Sequence, residues 1–191
     1  KYTPLRYEFE NIESKHIKPV IENVVVLSGG ADHYGMITRI LEMLCNEKYV
    51  GVLKEIDVIC GRYYRNYSEL SEQYHSFENV RIHHSVDHVA DYMQKADMAI
   101  SAGGVTLYEL CACGTPAVSF SYADNQFRNV KKFAEDQVID YAGDVRSDDV
   151  IREIGGLLMQ YRNPEKRKER SVRMQRLVDG RGAMRIAQIL C

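Results

Sequence analysis

The feature that most constrains the fold is a short pattern that occurs twice: an apolar run, a turn with two glycines, and a segment of helical periodicity. The first copy is an apolar run at residues 24–27 followed by Ser28-Gly29-Gly30. The second is Met-Ala-Ile at residues 98–100 followed by Ser-Ala-Gly-Gly at residues 101–104. Short apolar runs bounded by glycine are typical of strands buried on both faces. Two such strand–turn–helix units predict a parallel sheet covered by helices.

The rest of the chain continues this alternation. Further strands are predicted at residues 56–60, 80–83, 117–120 and 138–141, and helices at 34–45, 63–75, 89–95, 105–113, 126–135, 148–161, 164–177 and 182–190. Residues 1–22 show no clean period, and we interpret them as a leading segment or linker before a single domain at residues 23–191. The alternation predicts an α/β fold with a mostly parallel sheet, in which ligands bind beyond the carboxyl ends of the strands. Both glycine turns are therefore expected to face one crevice.

Composition argues against several functional classes. The 191 residues carry a formal net charge of −2, which does not indicate a nucleic-acid or membrane surface. No apolar run approaches the length that spans a bilayer, and no signal peptide is visible. The five cysteines, at positions 45, 60, 111, 113 and 191, are odd in number and irregularly spaced, so we expect reduced, mostly buried thiols in a cytoplasmic protein. The chain begins with Lys1 rather than Met, and we expect it to be a piece of a longer protein.

The second glycine turn has the composition of an anion site. Glycine allows a tight turn and a close approach of a ligand to the backbone. The first N–H groups of the helix that is predicted to begin at Val105 have no partner inside that helix, and they lie at the positive end of its dipole. Gly103-Gly104-Val105-Thr106 is therefore a candidate phosphate site. Ordinary turn chemistry explains the same glycines equally well.

Polar residues follow this turn and the next strand. Glu109, one turn into the helix, either supports the helix through its dipole or accepts hydrogen bonds from the two hydroxyls of a ribose. Asp124, Asn125, Gln126 and Asn129 fit helix capping, and the same cluster of amide and acid groups suits a hydroxyl-rich ligand such as a sugar. The residues alone leave both alternatives open.

Other common kinds of site are not indicated. Neither glycine turn has the spacing of a dinucleotide fingerprint or of a P-loop, so nothing supports NAD, FAD or ATP bound by the usual loops. His84 and His88 lie four residues apart, with His83 and Asp87 beside them, but His84 is predicted in a turn and no third ligand stands out. We therefore predict no metal and no cofactor, and no nucleophilic triad can be assembled from the spacing.

Taken together, the motifs resemble a known family. Ser28-Gly29-Gly30-Ala31-Asp32, the run at residues 96–111, Gly114-Thr115-Pro116, Asp124-Asn125-Gln126 and the tail at residues 178–187 are similar to the UDP-sugar hydrolases of pseudaminic-acid synthesis (PseG) and to the related spore-coat polysaccharide protein SpsG. A more distant resemblance is to the peptidoglycan GlcNAc transferase MurG, whose second domain binds UDP-GlcNAc. The resemblance extends from about residue 24 to the end. It implies the C-terminal half of a GT-B fold, a Rossmann-like domain that binds a nucleotide sugar.

The resemblance also implies how the second glycine turn would bind a UDP-sugar. Gly103, Gly104, Val105 and Thr106 would bind the pyrophosphate, and Glu109 would hold the ribose hydroxyls. No divalent ion is expected, because domains of this type resemble each other in using helix N-termini to balance the charge of the leaving diphosphate.

Further roles follow from the same resemblance. The main chain near Val86 would read the uracil, and Gly29 and Gly30 would border the cleft. Three polar residues would approach the sugar or the phosphates: Asn125, Gln126 and Asn129.

The resemblance implies that one half of the enzyme is missing. A GT-B enzyme has two Rossmann-like halves, and the catalytic histidine proposed for the family belongs to the N-terminal half, so we predict no catalytic residue in this chain. The leading hypothesis is the UDP-sugar-binding domain of a hydrolase in bacterial surface-polysaccharide or flagellin-glycan synthesis. The alternatives are the donor-binding domain of a MurG-like glycosyltransferase, and a non-catalytic scaffold or nucleotide sensor.

Overall fold

A computed structural model describes residues 2–46 and 52–190, while Lys1 and Cys191 lie outside the described residues. The strands are β1 (Asn23–Leu27), β2 (Glu55–Cys60), β3 (Val80–His84), β4 (Met98–Ala102), β5 (Ala117–Ser121) and β6 (Asp140–Asp144). The helices are α1 (Met36–Leu44), α2 (Tyr67–Tyr74), α3 (Val89–Lys95), α4 (Thr106–Cys113), α5 (Asp124–Glu135), α6 (Val150–Gln160), α7 (Pro164–Leu177) and α8 (Gly182–Leu190). None of these helices is long and apolar enough to cross a bilayer.

The strands form one parallel sheet in the order β3-β2-β1-β4-β5-β6. The chain winds outward from β1 through β2 to β3, returns to the other side of β1 as β4, and continues outward to β6. The strand order therefore reverses between β1 and β4, which is the point where open α/β sheets bind ligands. The expected α/β fold with a Rossmann-like parallel sheet is confirmed.

Helices cover both faces of the sheet. Val24 and Val26 of β1 belong to the apolar cluster formed with α1, α2 and α6, whereas Val25 and Leu27 belong to the cluster formed with α3, α4, α5 and α7. Successive side chains of a strand point to opposite faces, so a strand covered on both sides favours apolar residues at consecutive positions. This is why β1 reads as a continuous apolar run.

Most predicted boundaries lie within two residues of the observed ones, but two elements are displaced by three or more residues at one end. Helix α2 begins at Tyr67 rather than Tyr63, because the N–H of Tyr63 donates to the carbonyl of Gly30 (3.2 Å) and holds residues 61–66 as a loop. Strand β6 lies at residues 140–144 rather than 138–141. Val138 instead closes the end of α5, where its N–H donates to the carbonyl of Phe133 (2.9 Å). The strand itself contains aspartates and a glycine, which a β-propensity pattern does not select.

Residues 5–15 pack along the α3/α4 side of the domain, whereas Ile21 joins the apolar cluster on the opposite face of the sheet. Leu5 and Phe9 are buried in the apolar cluster of that face, and Tyr7–Phe9 form a short 3-10 turn. The ammonium group of Lys15 donates to the carbonyl of Met93 (3.2 Å), near the end of α3, and burial lowers the pKa of Lys15 to about 8. We refer to residues 3–12 as the strap.

The cysteines follow the expected pattern of buried thiols. Cys60, Cys111 and Cys113 are buried and free, and Cys45 is partly buried. Burial raises the pKa of both Cys60 and Cys113 to about 12. These two thiols therefore stay protonated and weakly reactive near neutral pH.

Candidate functional site

A cleft lies at the carboxyl ends of β1 and β4, where the strand order reverses. It has two parts that share Gly29, Gly30 and Thr106. The α5-side cavity, of about 450 Å³, lies between the β1–α1 loop, the start of α4 and the β5–α5 loop. The α3-side cavity, of about 380 Å³, lies between the same glycines, the β2–α2 loop and the start of α3. The two glycine turns therefore face each other across one cleft.

The turn before α4 presents free backbone amides to this cleft. The N–H of Gly103 donates to the carbonyl of Phe120 (2.7 Å), and that of Gly104 donates to the carbonyl of Ala102 (3.0 Å). The next two amides, of Val105 and Thr106, donate to no acceptor in the described part of the chain. They lie at the N-terminus of α4, where the helix dipole favours an anionic oxygen. The free donors thus belong to the two residues after the glycines.

Gly103 and Gly104 have different structural roles. A Cβ at Gly103 would collide with Cγ2 of Val130 and lie 3.2 Å from the carbonyl oxygen of Phe120, so glycine is needed there for the turn to pack against α5. Gly103 is buried and lines neither cavity. Gly104 lines the α5-side cavity, and a Cβ there would meet nothing within 4 Å.

Asp32 joins the two walls of the α5-side cavity. Its carboxylate oxygens accept hydrogen bonds from the N–H groups of Met36 and Ile37, each at 2.8 Å, and so cap α1. The hydroxyl of Tyr122, in the β5–α5 loop, donates to Oδ1 of Asp32 at 2.6 Å. Burial and the neighbouring Asp32 carboxylate raise the pKa of Tyr122 well above its usual range. Both loops are therefore held in place without a ligand, as a preorganised site requires.

Ser28 supplies a polar group that the sequence interpretation did not include. It is 2% exposed and lines the α5-side cavity, and its Oγ has no hydrogen-bond partner among the described residues. A buried polar group without a partner costs about 1–3 kcal/mol. A ligand oxygen in the cavity would relieve this cost. In sequence, a serine before two glycines is indistinguishable from an ordinary turn residue.

Glu109 lies on the wall of the α3-side cavity, in the first turn of α4. Its side chain is 14% exposed, and Oε1 accepts a hydrogen bond from Nη2 of Arg6 at 3.2 Å. Arg6 also donates to the carbonyl of Asp87 (3.3 Å) and pairs with Glu8 (2.9 Å). Burial raises the pKa of Glu109, and the charge of Arg6 opposes this rise. Arg6 lines the cavity too, and the sequence interpretation missed it because residues 1–22 lack a periodic pattern.

Val86 borders the same cavity. The preceding residue, Ser85, has a positive φ of 54°, and its N–H donates to the carbonyl of Cys60 (3.0 Å). These features fix the turn between β3 and α3. Neither the N–H nor the C=O of Val86 pairs with another backbone group within residues 2–46 and 52–190. One donor and one acceptor are thus left unpaired side by side.

The predicted polar residues of α5 do not all reach the cleft. Gln126 lines the α5-side cavity, and its Oε1 accepts a hydrogen bond from the N–H of Tyr122 (3.0 Å). Asn125 is exposed and lines neither cavity. Asn129 accepts a hydrogen bond from the hydroxyl of Tyr108 (3.0 Å) and also lines neither cavity. The structure therefore brings Gln126 to the candidate site and leaves the two asparagines outside it.

The histidines near α3 make separate contacts. Nε2 of His83 lies 2.7 Å from Oδ1 of Asp57, while the ring of His84 packs against the ring of Tyr67 at a centroid distance of 5.0 Å. Within the described chain, no group of three or more His, Cys, Asp or Glu residues is placed to hold a metal ion.

The fold is that of the C-terminal half of a GT-B protein. The crystal structure of Acinetobacter baumannii MurG matches with a TM-score of 0.69 at 18% identity, over 95% of this chain and 51% of the MurG chain. Residues 23–178 match the family described as the glycosyltransferase family 28 C-terminal domain, and the chain belongs to this family.

Two sequence relatives are similar to this chain, and the first of them supports the same assignment. The spore coat polysaccharide biosynthesis protein SpsG of Bacillus subtilis is 24% identical over 181 residues, which cover 93% of this chain and 52% of SpsG. An uncharacterised protein of Methanocaldococcus jannaschii is 26% identical over 125 residues, which cover 62% of this chain and 25% of that protein. The resemblance to an SpsG-like GT-B C-terminal domain is confirmed. The chain spans about half the length of SpsG and of MurG.

Proposed function

We propose that this chain is the nucleotide-sugar-binding domain of a UDP-sugar-processing enzyme, a hydrolase in bacterial surface-polysaccharide or flagellin-glycan synthesis. The observation that carries the proposal is the pair of free amides at Val105 and Thr106. Thr106 lies where the two cavities meet, and Val105 lines the α5-side cavity. The unpartnered hydroxyl of Ser28 lies on the wall of the α5-side cavity, and Glu109 lies on the wall of the α3-side cavity. A ligand with a negatively charged group in the middle and a polar group on each side would fit this arrangement. A nucleoside diphosphate sugar is such a ligand, because its diphosphate lies between the nucleoside and the sugar.

Each part of the ligand has a matching part of the cleft. The diphosphate lies at the N-terminus of α4, where the amides of Val105 and Thr106 are free. The nucleoside occupies the α3-side cavity, with the ribose hydroxyls at Glu109 and the edge of the uracil at the main chain of Val86. The sugar occupies the α5-side cavity near Gln126. The main chain of the Gly29–Gly30 turn closes the opposite wall of both cavities.

The proposed reaction breaks the bond between the anomeric carbon and the diphosphate. Water attacks the anomeric carbon, the bonding electrons pass to the diphosphate oxygen, and UDP leaves. The role of this chain is to stabilise the charge that develops on the leaving diphosphate, through the amides of Val105 and Thr106. The general base that removes a proton from the water belongs, in this proposal, to an N-terminal half of the parent enzyme, consistent with relatives about twice as long.

Calorimetric titration of the chain with UDP tests the proposal directly, and folded protein that gives no measurable binding at millimolar UDP would refute it. A sharper test replaces Val105 by proline. The φ of Val105 is −57°, which proline adopts, and proline is tolerated at the start of a helix. Val105→Pro therefore removes one free N–H without breaking α4. We expect a loss of UDP affinity of about 10-fold to 150-fold, since a hydrogen bond to a charged group is worth about 1.5–3 kcal/mol. The matched variant Val105→Ala keeps the N–H and should bind UDP like the parent.

The second candidate is the donor-binding domain of a glycosyltransferase. It is favoured by the family match at residues 23–178 and by the fold similarity to MurG. In this case the nucleophile is an acceptor hydroxyl rather than water. Measuring UDP release by the full-length parent enzyme, with and without candidate acceptors, separates the two reactions. Release that depends on an acceptor would replace the hydrolase proposal with the transferase.

A further inference from the structure

The turn between α7 and α8 contacts the strap so closely that it requires glycine. Gly180 has a φ of 74°, and a Cβ there would collide with the carbonyl oxygen of Phe9 and lie 2.7 Å from its carbonyl carbon. A Cβ at Gly182 would collide with the carbonyl oxygen of Thr3 and lie 2.8 Å from its N atom. The backbone of the turn therefore packs directly on the backbone of the strap at two points. We refer to residues 179–182, which include the first residue of α8, as the tail turn.

Hydrogen bonds reinforce this contact. Nη2 of Arg181 donates to Oδ1 of Asn11 at 2.7 Å, and the N–H of Arg181 donates to Oδ1 of Asp179 at 3.1 Å. Further along α7, Nε2 of Gln175 donates to the carbonyl of Glu13 at 3.0 Å. The tail turn thus holds the strap at Thr3, Phe9 and Asn11, and α7 holds the chain just after the strap at Glu13.

Arg6 lies between the two points at which the tail turn touches the strap. Phe9 anchors one side, since its ring is fully buried and lies 5.5 Å from the guanidinium carbon of Arg6. The N–H of Phe9 also donates to the carbonyl of Arg6 at 3.1 Å, and Thr3 is held on the other side by Gly182. Both flanks of Arg6 thus contact the tail turn, while the side chain of Arg6 reaches Glu109.

We propose that the tail turn is a positioning element for the nucleotide site: it holds the strap so that Arg6 stays on the Glu109 carboxylate and on the wall of the α3-side cavity. The inference rests on the proposed function, which makes this cavity the nucleoside site. Gly180 and Gly182 line neither part of the cleft. They act on the ligand only through Arg6, so a substitution in the tail turn weakens nucleotide binding without touching the nucleotide.

A double-mutant cycle tests this coupling. UDP affinity and thermal unfolding are measured for the parent, Gly182→Ala, Arg6→Ala and the double variant. We expect each single substitution to weaken UDP binding about tenfold, and the double variant to bind no more weakly than Arg6→Ala alone. The loss of melting temperature caused by Gly182→Ala should persist in both backgrounds, which separates positioning from general stability. Gly156→Ala is the matched control, because Gly156 lies in α6 where an added Cβ would meet nothing within 4 Å, and the UDP affinity of this variant should equal that of the parent.

If Gly182→Ala does not fold, a milder substitution in the tail turn can be measured instead. Arg181→Ala removes the hydrogen bond to Asn11 and should weaken UDP binding about twofold to threefold. The inference is overturned if the parent binds UDP and the folded tail-turn variants bind it equally well. It is also overturned if Gly182→Ala weakens binding as much in the Arg6→Ala background as in the parent. A parent chain that does not bind UDP rejects the proposed function itself.

Discussion

Replacing Glu109 by glutamine separates ribose binding from stability. In the parent, the carboxylate is 14% exposed, so its hydrogen bonds to ribose hydroxyls would be largely shielded from water. Glutamine keeps the shape but removes the charge, and we expect a loss of about 1.5–2 kcal/mol in UDP binding, or about 10-fold to 30-fold in affinity. The stability of the fold should change little. The ion pair with Arg6 is half exposed on the arginine side, and such pairs contribute at most about 1 kcal/mol.

The matched ligand for this experiment is UDP that lacks the ribose 2′-hydroxyl. The parent should bind the deoxy ligand more weakly than UDP, whereas Glu109→Gln should bind the two ligands almost equally, as measured by calorimetry. If the variant distinguishes the two ligands as strongly as the parent does, Glu109 does not contact the ribose. Unchanged UDP affinity in Glu109→Gln would favour the alternative of a non-catalytic scaffold.

Three further substitutions test two contacts at the cleft and the buried lysine beside α3. Gly61→Ala should destabilise the fold by about 2–3 kcal/mol and lower the melting temperature by about 5–10 °C. The reason is that a Cβ there would collide with the backbone of the β1–α1 loop. The control Gly156→Ala should not destabilise the fold, because a Cβ at Gly156 would meet nothing within 4 Å. Tyr122→Phe should cost about 1–2 kcal/mol in thermal unfolding, because it removes the hydrogen bond to Asp32. Burial lowers the pKa of Lys15 to about 8, so between about pH 8 and pH 10 the unfolded chain binds a proton that the folded chain has released. The free energy of unfolding should therefore increase as the pH rises through this range. Thermal unfolding recorded across the same range should show no such increase for Lys15→Met.

The sheet could be predicted from sequence because its strands satisfy one simple condition. A strand that is covered on both faces must be largely apolar, and the runs at residues 24–27 and 98–100 that became β1 and β4 meet this condition, as does β5 apart from its buried serines. β6 does not meet it, since Asp140 and Asp144 lie at its two ends and Gly143 interrupts it with a φ of 119°. Its place in the sheet is set by pairing with β5, which is a tertiary contact.

The candidate site could be predicted only in part, for a similar reason. Glycines before a helix predict its free amides, but the sequence does not say which amides are already bonded. The amide of Gly103 is occupied by the carbonyl of Phe120, seventeen residues later in the chain. Arg6 and Ser28 were missed because nothing local marks them. The side chain of Arg6 reaches the cleft through a contact with Glu109 that is 103 residues away in sequence.

The hydrogen bond between Tyr122 and Asp32, which spans 90 residues of sequence, has a consequence for how the protein folds. The two loops that it joins are neighbours only after β4 has paired with β1, and this pairing closes a long loop of chain that contains β2 and β3. Closing long loops is the slow part of folding for parallel sheets. The β1–β2–β3 side of the sheet can form while the cleft is still absent, so the ability to bind a ligand is acquired late. UDP should therefore slow the unfolding of the folded protein. When UDP is added during refolding, the rate of the main folding phase should stay the same.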